Sequence, residues 1–218
     1  MELIAQFIDI VLHVDKYLAV LLAEYGTWIY AILFAIVFCE TGLVVTPFLP
    51  GDSLLFVAGA LAATSGGNFD ISLLIAVLLT AAILGDNTNY WIGRWAGKRI
   101  LAWGDTSRFF NRKAFDATHA FYEKHGGKTM LIARFMPFVR TFAPFVAGVA
   151  EMNYVRYFLF DLCGAVLWVF SMCLAGYWFG NLPWVRSNLS FIVFGTIALS
   201  LLPLALAWLR HRLAAKAG

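Results

Sequence analysis

Apolar residues dominate this chain in stretches long enough to enter or cross a membrane, for which a helix needs about 20 residues. Four stretches approach or exceed that length: residues 28–48, 71–95, 154–179 and 189–209. Two further apolar pieces, residues 52–63 and 128–150, are too short or too broken by proline for simple spans. We expect these two pieces to belong to hairpins that enter and return, with tips covered by protein or by a water-filled cavity.

The first 25 residues have a different pattern. Apolar residues recur at helical spacing from Leu3 to Leu22, and Asp9, Asp15 and Lys16 interrupt them with polar positions. A helix with such a polar side more often lies in the membrane interface than spans the bilayer. No basic stretch precedes the apolar run, so a cleavable signal peptide is not expected.

One Pro/Gly-rich motif occurs twice, beginning at Pro47 and again 90 residues later at Pro137. Each copy opens with Pro-Phe and an aliphatic residue, closes with Phe-Val-Ala-Gly, and holds one charge, Asp52 in the first and Arg140 in the second. Paired hydrophobic segments broken by proline and glycine are typical of inverted-repeat transporters, whose site lies near the bilayer midplane. The alternative is a chance likeness. The predicted hairpin tips comprise Pro47, Pro50, Gly51, Pro137, Thr141 and Pro144.

These patterns predict an all-α integral membrane protein, built as an inverted repeat of a re-entrant hairpin plus a transmembrane helix. An N-terminal amphipathic helix and an extra C-terminal transmembrane helix flank the repeat. The chain forms a single polytopic domain, residues 1–218. Its predicted parts are the amphipathic helix 1–25, hairpin 28–63, transmembrane helix 71–97, basic segment 98–127, hairpin 128–150, and transmembrane helices 154–179 and 189–209.

Composition agrees with a membrane protein, since 61% of residues are hydrophobic and only 13% are charged, against roughly 25% charged in soluble domains. A net charge of +3 gives no reason to expect a nucleic-acid partner. The three cysteines match no disulfide framework or zinc spacing, so neither a metal nor a cofactor is expected. Basic residues are concentrated between residues 94 and 128 and after residue 209, which predicts a cytoplasmic C-terminus. The side of the N-terminus stays open.

Four charges near the two motifs need an explanation: Glu40, Asp52, Arg134 and Arg140. Left unpaired at the bilayer centre, they would together cost roughly 10 kcal/mol. One explanation is structural, with two salt bridges that tie the hairpins together. The other is functional, because the planar fork of arginine suits a phosphate. Carboxyls in a poorly solvated hairpin favour their neutral form and suit proton transfer.

The remaining polar residues carry weaker signals. Asp86, Asn87 and Tyr90 either line a cavity or form a polar cluster between packed helices, whereas Glu151 and Asp161 are expected at the interface or as helix caps. Motifs for hydrolytic or metal catalysis do not occur, so we do not expect an enzyme.

The chain resembles the DedA family of bacterial inner-membrane proteins, which is related to the SNARE-associated (VTT) domain of eukaryotic lipid scramblases. The resemblance covers nearly the whole chain. It is carried by Phe38-Cys39-Glu40-Thr41-Gly42, residues 47–53, Gly85-Asp86, Tyr90, Gly93-Arg94, residues 121–128, Ala133-Arg134-Phe135, Pro137, Val139-Arg140-Thr141, Gly148, Gly164-Ala165 and Trp168.

The resemblance implies that Glu40 and Asp52 are the functional acids and that Arg134 and Arg140 are the functional arginines. It also implies a multi-pass protein of the bacterial inner membrane that depends on the proton motive force. The expected function is therefore transport of an anionic lipid carrier, with undecaprenyl phosphate and membrane lipids as partners and protons or sodium as coupling ions. The alternatives are an uncoupled phospholipid scramblase and an ion/proton antiporter. A homo-oligomer is possible.

Overall fold

The computed structural model describes residues 14–43, 51–67, 69–102, 124, 126–131, 133–134, 137–180 and 182–187. This part of the chain is helical and contains no strand. Its elements are α1 (Val14–Tyr25), a 3₁₀ turn (Gly26–Trp28), α2 (Ile29–Gly42), α3 (Gly51–Thr64), α4 (Ile71–Ala102), α5 (Pro137–Val149), α6 (Tyr154–Phe179) and α7 (Pro183–Ser187). Pro47 and Pro50, most of the basic segment and the predicted helix 189–209 lie outside the described residues.

Three segments of the described chain are long and apolar enough to cross a membrane: Tyr17–Gly42, Ile71–Gly97 and Tyr154–Phe179. Two shorter apolar helices, Gly51–Thr64 and Val139–Val149, accompany them. The long segments agree with an all-α membrane protein. The first one includes the end of the predicted amphipathic helix, which the sequence pattern assigned to the interface.

A turn separates α1 from α2 close to the predicted boundary. Gly26 has a φ of +52°, a left-handed value that glycine adopts without steric cost. Before this turn, α1 packs against α3 as well as α2. Leu18 of α1 is 3% exposed and belongs to the larger apolar core.

The chain between α2 and the start of α4 folds back on itself. At one end, the Glu40 carboxylate lies against Gly51, where α3 begins. At the other end, the hydroxyl of Tyr30 accepts a hydrogen bond of 2.8 Å from the backbone N–H of Asp70, and its ring contacts Phe69 at 5.0 Å. These contacts bring the end of α2 close to the start of α3 and the start of α2 close to the residues that follow α3.

Each short helix packs mainly against the long helix that follows the other motif, α3 against α6 and α5 against α4. Glycine makes both approaches close. A Cβ on Gly59 would collide with the backbone of Cys173, and one on Gly148 would collide with the backbone of Tyr90. The glycine that ends each Phe-Val-Ala-Gly sequence therefore allows close packing of its short helix, α3 on α6 and α5 on α4.

We expect Gly59→Ala to destabilise the protein by about 1–3 kcal/mol, because an added methyl group overpacks a backbone contact. The measurement is thermal unfolding of the purified protein in detergent. Leu73→Ala is the control, since Leu73 is 49% exposed on α4. Equal melting temperatures for Gly59→Ala and the control would contradict close packing of α3 on α6.

Candidate functional site

Arg140 lies at the centre of a buried group of charges. Its Nη1 atom is 2.5 Å from Oδ1 of Asp52, and its Nη2 atom donates to Oε1 of Glu40. Glu40 is 2% exposed and Arg140 is 8% exposed, while Asp52 is half-buried. These three residues, the Arg140 cluster, join the second motif to the first. A salt bridge between the two motifs, which is the structural explanation of these charges, therefore forms at Arg140.

Helix ends bring the three side chains of the Arg140 cluster together. Glu40 is in the last turn of α2, Asp52 in the first turn of α3, and Arg140 in the first turn of α5. The start of α3 also favours the acids, since a helix N-terminus stabilises negative charge. Glycine at position 51 lets the Glu40 carboxylate approach the backbone, because a Cβ there would displace that carboxylate.

Arg134 lies at the centre of a second buried group. Its Nη1 atom is 2.5 Å from Oδ2 of Asp86 on α4 and 2.6 Å from Oδ1 of Asp161 on α6. All three side chains are at most 6% exposed. The sequence suggested a salt bridge from Arg134 to Glu40 or Asp52, but Arg134 pairs with two other acids. We call this trio the Arg134 cluster.

The prediction that Asp161 lies at the interface or caps a helix is wrong, because Asp161 is 1% exposed and paired. The sequence contained a signal for its burial. Asp161, Gly164, Ala165 and Trp168 are spaced as one helix face, and all four are buried. The same spacing recurs on α4 with Asp86, Asn89, Tyr90 and Gly93, which are also buried.

Trp168 connects the two clusters. Its indole Nε1 donates a 2.7 Å hydrogen bond to Oδ1 of Asp52. The guanidinium carbon of Arg140 lies 4.6 Å from the centre of its ring, and that of Arg134 lies 5.8 Å away. Both arginines are therefore within the range of a cation–π contact with one buried ring.

Asn89 joins the end of α2 to the second motif, a role that was not predicted from the sequence. It is fully buried, and its Nδ2 donates to the carbonyls of Thr41 at 3.0 Å and Thr141 at 2.7 Å. Each threonine directly follows a residue of the Arg140 cluster. The Thr41 carbonyl is in the last turn of α2, where intrahelical partners run out.

The three residues that the sequence suggested for a cavity have different surroundings in the structure. Asp86 joins the Arg134 cluster. Tyr90 is packed on Tyr157 at 4.3 Å and donates to the Met152 carbonyl at 2.6 Å, so it serves the core. Asn87 lines an open groove of about 520 Å³ along α4. The groove residues are Leu84, Asn87, Thr88, Trp91, Ile92 and Trp95.

The predicted hairpin-tip residues that the structure describes also lie in different surroundings. Gly51 and Thr141 are buried beside the Arg140 cluster, Pro137 begins α5, and Pro144 is inside that helix. Among the described residues, no group of three or more His, Cys, Asp or Glu side chains is placed to hold a metal ion.

Comparison with known proteins identifies the family. Residues 47–178 match the VTT domain, a segment that contains both motifs and all the charged cluster residues except Glu40. Protein DedA of Escherichia coli is 53% identical over 215 residues, covering 99% of this chain and 98% of the relative. The chain belongs to the DedA family. It is an integral membrane protein, as its three long apolar helices also indicate.

More distant members of the family match a shorter part of the chain. An uncharacterized membrane protein of Mycobacterium leprae is 46% identical, covering 81% of this chain and 78% of the relative. Inner membrane protein YqjA of Escherichia coli is 36% identical, covering 71% of this chain and 69% of the relative. No solved structure matches this DedA family member significantly.

We expect Asn89→Leu to lower the free energy of unfolding by about 1–3 kcal/mol, because two buried hydrogen bonds from its amide are lost. Leucine has the same branched shape and number of side-chain heavy atoms as asparagine but donates no hydrogen bond. Thermal unfolding in detergent measures the effect, with Thr88→Ala as control because the Thr88 hydroxyl bonds its own helix, at Leu84. A melting temperature for Asn89→Leu as high as that of the control would show that the amide does not hold α2 and the second motif together.

Proposed function

We propose that this protein transports an anionic lipid carrier of the undecaprenyl phosphate class across the bacterial inner membrane, coupled to protons bound by Glu40 and Asp52. One observation carries the proposal. Arg140, a residue suited to phosphate, is buried where the two motifs meet and is held by two carboxylates. The family resemblance implies the membrane setting and the lipid carrier, and the chemistry of this cluster supports an anionic phosphate headgroup.

Competition for Arg140 provides the coupling. Its two terminal nitrogens contact Glu40 and Asp52, and the same nitrogens would form a bidentate contact with a phosphate. Protonation of the acids weakens their hold on the guanidinium and makes it available to the lipid headgroup. Because protons and phosphate then act on one group, each changes the affinity for the other by the same factor.

Arg140 is the better candidate for the phosphate contact because its cluster is less enclosed than that of Arg134. Asp52 is 15% exposed at its side chain, so the Arg140 cluster has an accessible edge, whereas Asp161 in the Arg134 cluster is 0% exposed. Arg134 remains a predicted phosphate ligand by residue type, but a headgroup would have to enter a more enclosed site to meet it. Undecaprenyl phosphate has the required chemistry, a single anionic headgroup on a hydrocarbon chain.

An uncoupled scramblase is the main alternative. It needs a polar path for headgroups but no titratable acid. An ion/proton antiporter is a further alternative, in which the acids carry the ions and no lipid moves. A proteoliposome assay separates the three, following the sidedness of undecaprenyl phosphate with and without an imposed pH gradient, in sodium and in sodium-free buffer.

Glu40→Gln and Asp52→Asn keep the size of each side chain and remove the titratable proton. We expect both variants to accumulate in the membrane and to lose the dependence of lipid transport on the pH gradient. Glu24→Gln is the control, since Glu24 is exposed on α1. Unchanged gradient dependence would favour the scramblase, and failure of both variants to accumulate would favour a purely structural ion pair.

Arg140→Lys keeps the charge but loses the planar fork. We expect lipid transport to fall at least about tenfold, equivalent to about 1.4 kcal/mol, and Arg134→Lys to lose activity as well. Arg156→Lys is the matched control, because Arg156 is exposed on α6. Near-normal transport in Arg140→Lys would show that the arginine is only a counter-charge for the acids.

A further inference from the structure

We propose that Arg134, Asp86 and Asp161 form a second proton-binding site, in which the two aspartates share one proton beside the arginine. The site is distinct from the Glu40 and Asp52 pair. The proposal rests on the geometry of this trio and does not depend on which substrate the protein moves.

Both carboxyls meet the same nitrogen of Arg134. Oδ2 of Asp86 and Oδ1 of Asp161 lie 2.5 Å and 2.6 Å from Nη1, so these two oxygens are no more than about 5 Å apart. At such a separation two ionised carboxylates repel each other, and the pair favours holding one proton. A single guanidinium balances only one of the two negative charges.

Among the described residues, no other cation pairs with Asp86 or Asp161. Tyr157, on α6, donates its hydroxyl to the backbone carbonyl of Asp86 and not to the carboxylate. The charge of Arg140, on α5, also acts on Asp86, but Arg140 is already shared by two acids of its own. Trp168, between the arginines, is neutral.

The trio is enclosed, so little water reaches it to solvate the second negative charge in place of a proton. The side chains of Arg134, Asp86 and Asp161 are 6%, 3% and 0% exposed. Gly164 of α6 completes the enclosure, because a Cβ there would lie 3.1 Å from Cδ of Arg134. A buried ionised group that lacks a partner takes up a proton in preference to remaining charged. Binding converts one carboxylate to a carboxylic acid, which leaves the trio neutral.

Infrared spectroscopy of the purified full-length protein in lipid nanodiscs tests the proposal, because protonated carboxyls give a carbonyl band that shifts on exchange into deuterium oxide. We expect the wild-type protein to show such a band at neutral pH, to which protonated Glu40 or Asp52 would also contribute. The component that remains in the double variant Glu40→Gln, Asp52→Asn is therefore the one assigned to the trio, and the exposed control Glu24→Gln should leave it unchanged. Because one arginine suffices for one aspartate, adding Asp86→Asn or Asp161→Asn to the double variant should in each case abolish that component.

Several outcomes would overturn the second site. The absence of a protonated carboxyl in the wild-type protein would do so without any variant. A band that survives in both aspartate variants, or that is lost in only one of them, would refute sharing. A band that disappears when sodium replaces a bulky organic cation would assign the trio to a metal cation. The infrared measurement involves no transport step. Failure of the proposed transport function would therefore leave the band in place, and the two proposals can fail independently.

Discussion

Arg140 and Arg134 each hold two carboxylates inside a protein of which only 13% of residues are charged. Little water reaches these groups, so the protein must provide partners for them. The partners come from five different parts of the chain: α2, α3, α4, α6 and the segment from Arg134 into α5. The need to balance these charges therefore determines how the two halves of the molecule meet.

The apolar scaffold is built to bring those parts together. Close helix packing at Gly59 and Gly148 lets each short helix approach the long helix of the other half. Asn89 then fixes the backbone next to Glu40 and Arg140 through two carbonyls. Without a strong hydrophobic drive between helices in a membrane, small residues and interhelical hydrogen bonds are the expected means of association.

Local patterns were enough to predict two of the long helices and the pairing of opposite charges between the two motifs. Hydropathy and the positions of proline and glycine are properties of neighbouring residues in the sequence. They are sufficient to predict the helices at residues 71–97 and 154–179. The choice of partner for Arg134 does not, because it depends on how α4 and α6 rotate about their axes. Asp161 and Asn89 were misjudged for this reason, although the i, i+3, i+4, i+7 spacing around each residue marked a buried face.

The count of charges separates a structural role from a functional one. An arginine needed only to tie helices together is neutralised by one carboxylate, and buried ion pairs contribute little net stability. In the described part of the chain, two carboxylates per arginine leave one negative charge in excess at each cluster, which a proton or another cation taken from outside would neutralise. In the proposed transport cycle that excess has a use, because a lipid phosphate approaching Arg140 adds negative charge to a site that already holds too much. The headgroup can enter only as protons enter with it, so the same excess that makes the site costly to bury links the movement of the anion to the proton gradient.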